Sequence, residues 1–162
     1  MLTDQTVVPE KGWEMGLLYI IKDCCLVGDV GGLHFLMRAV SGGRAGSKVA
    51  GAVNQAVANN PYRTGQKLKK SRGVVGGPIP CGRYEMRVDL SKTSKWIRLV
   101  PHASNFMAGR GGFAIHGRGP RGSDGCIVPV VYAELVSLWN AVKENNGGTL
   151  EVVAGDLSSV TV

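Results

Sequence analysis

The sequence predicts a single, mainly β domain with one or two packed helices. Three observations carry that expectation. The chain has 162 residues, which suits one domain and leaves little room for two. Hydrophobic residues make up 44% of it, enough for a core, so a chain disordered throughout is excluded. Its apolar residues fall mostly in short runs with a period of two, and only one long segment keeps a helical period. Glycine, with 24 residues and no Gly-X-Y repeat, stands at roughly twice average usage. That is the composition of a turn-rich fold whose loops bring backbone segments close together.

After a polar terminus at 1–12, Leu17–Ile21 reads as a strand, and Cys24–Val27 as a second one across a turn at Lys22-Asp23. Gly28–Gly32 is a turn, and Leu33–Val40 a third strand stopped by Ser41-Gly42-Gly43. Val49, Val53, Ala56 and Val57 share one face of a short helix within 44–60, ended by Asn59-Asn60-Pro61. The segment Val74–Gly82 holds two prolines, Pro78 and Pro80, among glycines and marks a rigid turn. Arg83–Leu90 alternates Tyr84, Met86, Val88 and Leu90 against charged neighbours, as a half-buried strand does; Trp96–Val100 is another. Gly112–His116 is a short apolar strand ending on histidine. Tyr132–Lys143 places Leu135, Leu138, Trp139 and Val142 on one helical face, stopped at Asn145–Gly148, and Thr149–Val153 is the last strand.

Several classes of function are disfavoured. No stretch approaches the roughly 20 apolar residues of a spanning helix, so membrane insertion is not expected. The N-terminus lacks a basic region followed by an apolar core, so no Sec signal is expected. Cys24, Cys25, Cys81 and Cys126 are too few for a disulfide scaffold and form no CxxC pair, so no structural metal is expected. Net charge is +7, which permits binding to nucleic acid, anionic envelope polymers or carboxylate-rich substrates without choosing among them. The basic set Arg63, Lys67, Lys69, Lys70 and Arg72 reads as a solvated loop rather than a nucleic-acid arm, because Tyr62 is the sole aromatic beside it.

The informative block is Phe113–Pro129, FAIHGRGPRGSDGCIVP. His116 ends a strand, and a loop rich in glycine and arginine returns the chain to Cys126. A thiol is a strong nucleophile as thiolate, and an adjacent imidazole is the usual means of lowering its pKa. Arg118 and Arg121 push in the same direction. Gly125 frees the backbone so that the N–H groups of Gly125 and Cys126 converge as an oxyanion hole. The competing reading is a buried, inert cysteine and a structural histidine. His34 sits in an apolar strand and reads as core or edge, and His102 as solvent-facing. The other cysteines read as packing residues.

Ile115-His116-Gly117 followed by Ser123-Asp124-Gly125-Cys126-Ile127 resembles the catalytic signature of the L,D-transpeptidases. Gly77-Pro78-Ile79-Pro80, Gly82 and Tyr84 resemble that family's turn-and-strand, and Gly148-Thr149-Leu150 with Val152 its closing strand. The likeness runs from about Leu33 to Ala154 and is strongest to type VI secretion effectors that act on peptidoglycan as L,D-carboxypeptidases and L,D-transpeptidases. It implies a β-sandwich or open barrel, with 1–30 as an N-terminal extension and 31–162 as the catalytic domain. It makes Cys126 the acyl-forming nucleophile and His116 its base, oriented by the Gly117 carbonyl, with the oxyanion hole at Gly125 and Cys126.

Asp124 stands where cross-linking members often carry histidine, and Val128 where asparagine often follows. Asp124 either polarises His116 or bonds within its own turn. Arg118, Arg121 and Ser123 are the candidate substrate contacts, the arginines because a guanidinium fork matches a carboxylate. Tyr84 either lines the cleft or packs the core. The resemblance implies no metal or organic cofactor. It implies stem peptides and D-amino acids as substrates, a cognate immunity protein as partner, and secretion without a Sec signal into the periplasm of a target bacterium. A catalytically inactive peptidoglycan-binding module of the same fold is the alternative.

Overall fold

The computed structural model describes residues 16–42, 60–61, 77–119 and 125–155. Chain order begins with a hairpin, strand β1 (Leu17–Ile20) against β2 (Cys25–Val30), turned at Lys22–Cys24. Leu17 and Tyr19 alternate inward, as a period-two pattern requires. Strand β2 runs three residues beyond the expected stop at Val27, because Gly28-Asp29-Val30 continues to pair, and Val30 is buried. Gly31-Gly32 then makes the tight turn into β3 (Leu33–Ser41).

Strands β4 (Gly82–Val88) and β5 (Trp96–Pro101) form a second antiparallel hairpin. Its turn is organised by Asp89, whose carboxylate accepts from Ser91 and from the Arg98 guanidinium. Those Ser91 and Arg98 hydrogen bonds hold the Asp89 pKa down at about 2. Two strands of three residues each follow, β6 (Ala114–His116) and β7 (Ile127–Pro129). Helix α1 (Tyr132–Glu144) and strand β8 (Gly148–Val153) complete the chain order.

The sheet is a closed barrel in the order β1-β2-β3-β7-β6-β5-β4-β8. The mainly β architecture with a packed helix is as the sequence predicts, and of the sandwich and open-barrel alternatives neither is the form adopted. The closing step is the parallel pairing of β1 with β8, Leu17 opposite Leu150 and Ile20 opposite Val153, which leaves no free sheet edge among the described strands. Residues 17–30, set by the sequence in an N-terminal extension, are therefore two staves of the barrel. The boundary at 30–31 falls inside the β2–β3 hairpin, and Leu17, Tyr19, Leu26 and Val30 belong to the common core.

Helix α1 packs on β4 and, across the barrel mouth, on β2, β3 and β7. Leu135, Leu138, Ala141 and Val142 form its buried stripe and join the barrel core as one cluster. Trp139, expected on that face, is only partly buried; its ring carries the Lys95 ammonium at 3.8 Å and the Lys143 ammonium at 5.1 Å. The helix stops where Asn146 takes a positive φ and the Gly147 N–H returns to the Val142 carbonyl. A shallow depression lined by Val30, Gly31, Leu33, Ala141, Glu144 and Asn145 lies at this junction, with none of the candidate catalytic residues in its wall.

The expected short helix within 44–60 and the basic segment at 62–72 lie outside the described residues, apart from Asn60 and Pro61. His34 is exposed and bonds to Asp29 rather than packing in the core. His102 is exposed, as expected. None of the four cysteines forms a disulfide, and Cys81 packs against the core.

Tyr19 is fully buried and its hydroxyl donates to the Ala39 carbonyl at 2.8 Å. The bond is placed where the β2–β3 ladder runs out, since the Cys24 N–H is taken by Ile21 in the turn. Tyr19→Phe leaves that carbonyl short of a buried donor. It is expected to lower unfolding free energy by about 1–3 kcal/mol in urea titration, with an unchanged slope.

Candidate active site

Strands β6 and β7 lie side by side and parallel, with Ile115 opposite Ile127. Both isoleucines are fully buried, so their chain neighbours project to the other face of the sheet. His116 follows Ile115 and Cys126 precedes Ile127, and both are partly exposed. They stand at diagonal positions on one face, with Cα atoms roughly 8 Å apart by strand geometry. In longer parallel strands the end of one and the start of the next would be far apart. Here the strands are three residues long, so the histidine that ends β6 and the cysteine just before β7 are separated by only this diagonal.

The imidazole is held on two sides. Its Nδ1 lies 2.6 Å from the Gly117 carbonyl oxygen, which can only accept, so the neutral ring carries its proton on Nδ1 and a lone pair on Nε2. Trp96 is the cross-strand partner of His116 on β5, and the two rings stack with centroids 4.3 Å apart and planes 6° from parallel. Burial pushes the His116 pKa below its ordinary value, with the Gly117 hydrogen bond working weakly the other way. A base that is neutral near pH 7 is the form that can take a proton from a thiol.

Cys126 is set by a tightly fitted backbone. Gly125 has φ +113°, and a Cβ there would lie 2.5 Å from the Phe113 ring and 2.6 Å from the Arg110 guanidinium. The Gly125 carbonyl accepts from the hydroxyl of Ser41, which is wholly buried at the end of β3 and also receives the Ile79 N–H. Arg110 donates to the carbonyls of Gly77 and Pro78. Gly77 in turn donates to the Gly42 carbonyl, in a contact so close that a Cβ on Gly42 would fall 2.1 Å from the Gly77 carbonyl carbon. The Gly-Pro-Ile-Pro turn is thus fastened to β3, to Arg110 and to the residue before the cysteine. The Cys126 sulfur itself lies 3.9 Å from the Gly112 carbonyl oxygen.

His116 with Gly117 and Cys126 with Gly125 therefore flank the Ile115–Ile127 pair of two neighbouring parallel strands. Arg118 is exposed two residues beyond His116. Arg121, Ser123 and Asp124 lie outside the described residues. Tyr84 is a correction: it is 2% exposed, and its hydroxyl donates to the Pro80 carbonyl and contacts the Met107 sulfur. It is a core residue that braces the Gly-Pro-Ile-Pro turn, and burial raises its pKa far above the usual phenol range. Sequence reasoning missed Trp96, Ser41 and Arg110. Their roles come from register and long-range hydrogen bonds, although the arginine of Gly109-Arg110-Gly111-Gly112 stands out as a charge among glycines. Tyr132 was also missed; it is exposed at the start of α1, with its ring beside Gly117.

No protein-family model matches the chain, and no curated protein or solved structure is significantly similar to it. Among the described residues no cluster of His, Cys, Asp or Glu is arranged to hold a metal ion, and no helix is long and apolar enough to cross a membrane.

Two glycines of the site separate by substitution. Gly125→Ala forces a Cβ into Phe113 and Arg110 at a backbone angle unsuited to it, and is expected to destabilise by more than about 2 kcal/mol in thermal or denaturant unfolding. Gly117→Ala meets the Tyr132 ring at 3.5 Å, an ordinary contact, and is expected to stay within about 1 kcal/mol of the parent. His116 is expected to titrate below 6.5, the ordinary histidine value. Cys126→Ala removes coupling to the thiol, so an NMR pH titration of the ring in that variant reads this shift directly. A pKa above 6.5 there would contradict a ring kept neutral by burial.

Proposed function

We propose that this chain is a cysteine acyl-transfer enzyme of peptidoglycan, acting on the L,D bond before the terminal D-Ala of stem peptides. The observation that carries the reading is the His116 Nδ1–Gly117 carbonyl bond, on a ring that flanks the same Ile115–Ile127 pair as Cys126. It is the arrangement that a thiol nucleophile needs of its base, and it lies within the two motifs that resemble the L,D-transpeptidase signature. Substrate class rests on that resemblance alone.

In this mechanism Nε2 of His116 takes the thiol proton and the Cys126 sulfur attacks the carbonyl carbon of the L-centre. The oxyanion forms against the backbone N–H groups of Gly125 and Cys126. Collapse breaks the amide bond, the proton on Nε2 passes to the departing D-Ala amine, and an acyl-thioester remains. Water then gives carboxypeptidase action, and an incoming D-amino acid gives exchange. Exposed Arg118, with Arg121, supplies guanidinium groups for the substrate carboxylates, and Ser123 a further polar contact. No metal or organic cofactor enters any step. By the same resemblance the protein is an antibacterial effector secreted to the periplasm of a target cell. Its +7 charge suits an acidic immunity protein as partner.

Mass spectrometry of muropeptides incubated with the protein, with and without an added D-amino acid, tests this. The parent chain is expected to remove or replace terminal D-Ala, Cys126→Ala to do neither, and His116→Ala to be slower by about 10²–10⁴-fold. Muropeptides left intact by the parent, with binding to sacculi retained in Cys126→Ala, would favour the inactive binding module.

A further inference from the structure

We infer that Trp96 is a positioning residue for the candidate base. The inference rests on the reading of His116 as the base of Cys126. An imidazole turns about two side-chain torsions, and one hydrogen bond from Nδ1 anchors a single edge. The ring can still swing about that edge and carry Nε2 away from the thiol. A parallel indole with its centroid 4.3 Å away blocks that motion, because any swing out of plane either collides with the indole or loses contact with it. The Gly117 carbonyl and the Trp96 face together fix the edge and the plane, and so fix where the Nε2 lone pair points.

The platform is itself braced. Trp96 opens β5 directly opposite His116, and its carbonyl accepts from the Asp89 N–H at 2.9 Å. The Asp89 carboxylate gathers Ser91 and Arg98 around the turn, and from that turn Lys92 sets its ammonium 5.1 Å from the Trp96 ring centroid. The β4–β5 turn thus holds the indole from behind while the imidazole rests on it. The stack also serves both charge states of the base. A neutral imidazole is held by dispersion, and when the S–H bond breaks and an N–H bond forms on Nε2, the cationic ring gains attraction to the indole face. The base stays in place through the proton transfer instead of being released by it.

Site-resolved alkylation by iodoacetamide in the full chain reads the thiolate without requiring any peptidoglycan activity. Cys126 is expected to react faster than Cys24, Cys25 and Cys81, and His116→Ala to abolish that excess. Trp96→Leu keeps an apolar side chain but removes the ring face, and is expected to slow Cys126 by about tenfold, as loss of a stacked pair allows. Trp96→Phe restores a face and is expected to return the rate to within about threefold of the parent. Melting temperatures of both variants should stay near that of the parent, and kcat on muropeptides should fall in Trp96→Leu with little change in KM. A parent-like rate in a folded Trp96→Leu would overturn the inference while leaving His116 as base. An unchanged rate in His116→Ala would instead sink the base reading beneath it. If Trp96→Leu does not fold, the His116 ring protons of the parent decide: indole ring current must shift them upfield, and ordinary shifts would end the inference.

Discussion

Parallel pairing of β6 and β7 through one buried isoleucine pair is the constraint on which the rest of the site depends. Ile115 and Ile127 face the core at full burial, so the strands cannot slip by a residue without turning two isoleucines to the outer face. That locks His116 and Cys126 onto the opposite face, diagonally placed. Parallel strands usually need a connection of about a dozen residues or more, and only residues 117–126 lie between these two. Neighbours compensate: β5 supports β6 in antiparallel register, and β3 does the same for β7. The barrel closes around this pair, and helix α1 packs on β7 as well as on β4, β2 and β3.

A second fastening acts through Ser41. A fully buried hydroxyl must satisfy its hydrogen-bonding capacity or destabilise the core, and here it accepts from Ile79 and donates to Gly125. The hydroxyl thereby joins three segments distant in sequence: the end of β3, the Gly-Pro-Ile-Pro turn and the residue before Cys126. Arg110 repeats the pattern with charge-assisted bonds to the Gly77 and Pro78 carbonyls. Tyr84 adds a third bond to the same turn through Pro80. The proline-rich turn therefore acts as a rigid strut whose far end sets the backbone at Gly125.

Much of the fold was legible because the determining patterns are local. Alternation in Arg83–Val88 and the helical stripe of Leu135, Leu138 and Val142 each name their own burial, and the structure follows them. Barrel closure was not legible, because the β1–β8 pairing joins the two ends of the described chain and no local pattern encodes a partner. Continuation of β2 through Gly28 was missed for a related reason: a Gly-Asp pair reads as a turn until a neighbouring strand supplies ladder partners. At the candidate site, His116 and Cys126 were readable as a pair from the sequence because only ten residues separate their positions. Trp96 was not, since 20 residues separate it from His116 and only register makes them partners. Tyr84 was readable as an inward strand residue, and the structure decides for core packing over cleft lining.

Burial and stacking act on His116 in opposite senses. Burial disfavours the charged ring, which keeps Nε2 unprotonated and ready to accept. An uncompensated burial penalty would make the same ring a poor acceptor, because the imidazolium formed in the transfer would have no favourable surroundings. The Gly117 carbonyl and the Trp96 face supply those surroundings, the first as an acceptor for Nδ1–H and the second as a π surface for the cation. Neither disturbs the resting proton position, since both contacts exist already in the neutral ring. The proposed base is thus a ring neutral at rest, fixed in orientation, and set beside groups that favour the imidazolium the proposed transfer would form. A merely structural histidine needs the first two properties; the third matters only to a ring that takes up a proton while it remains in place.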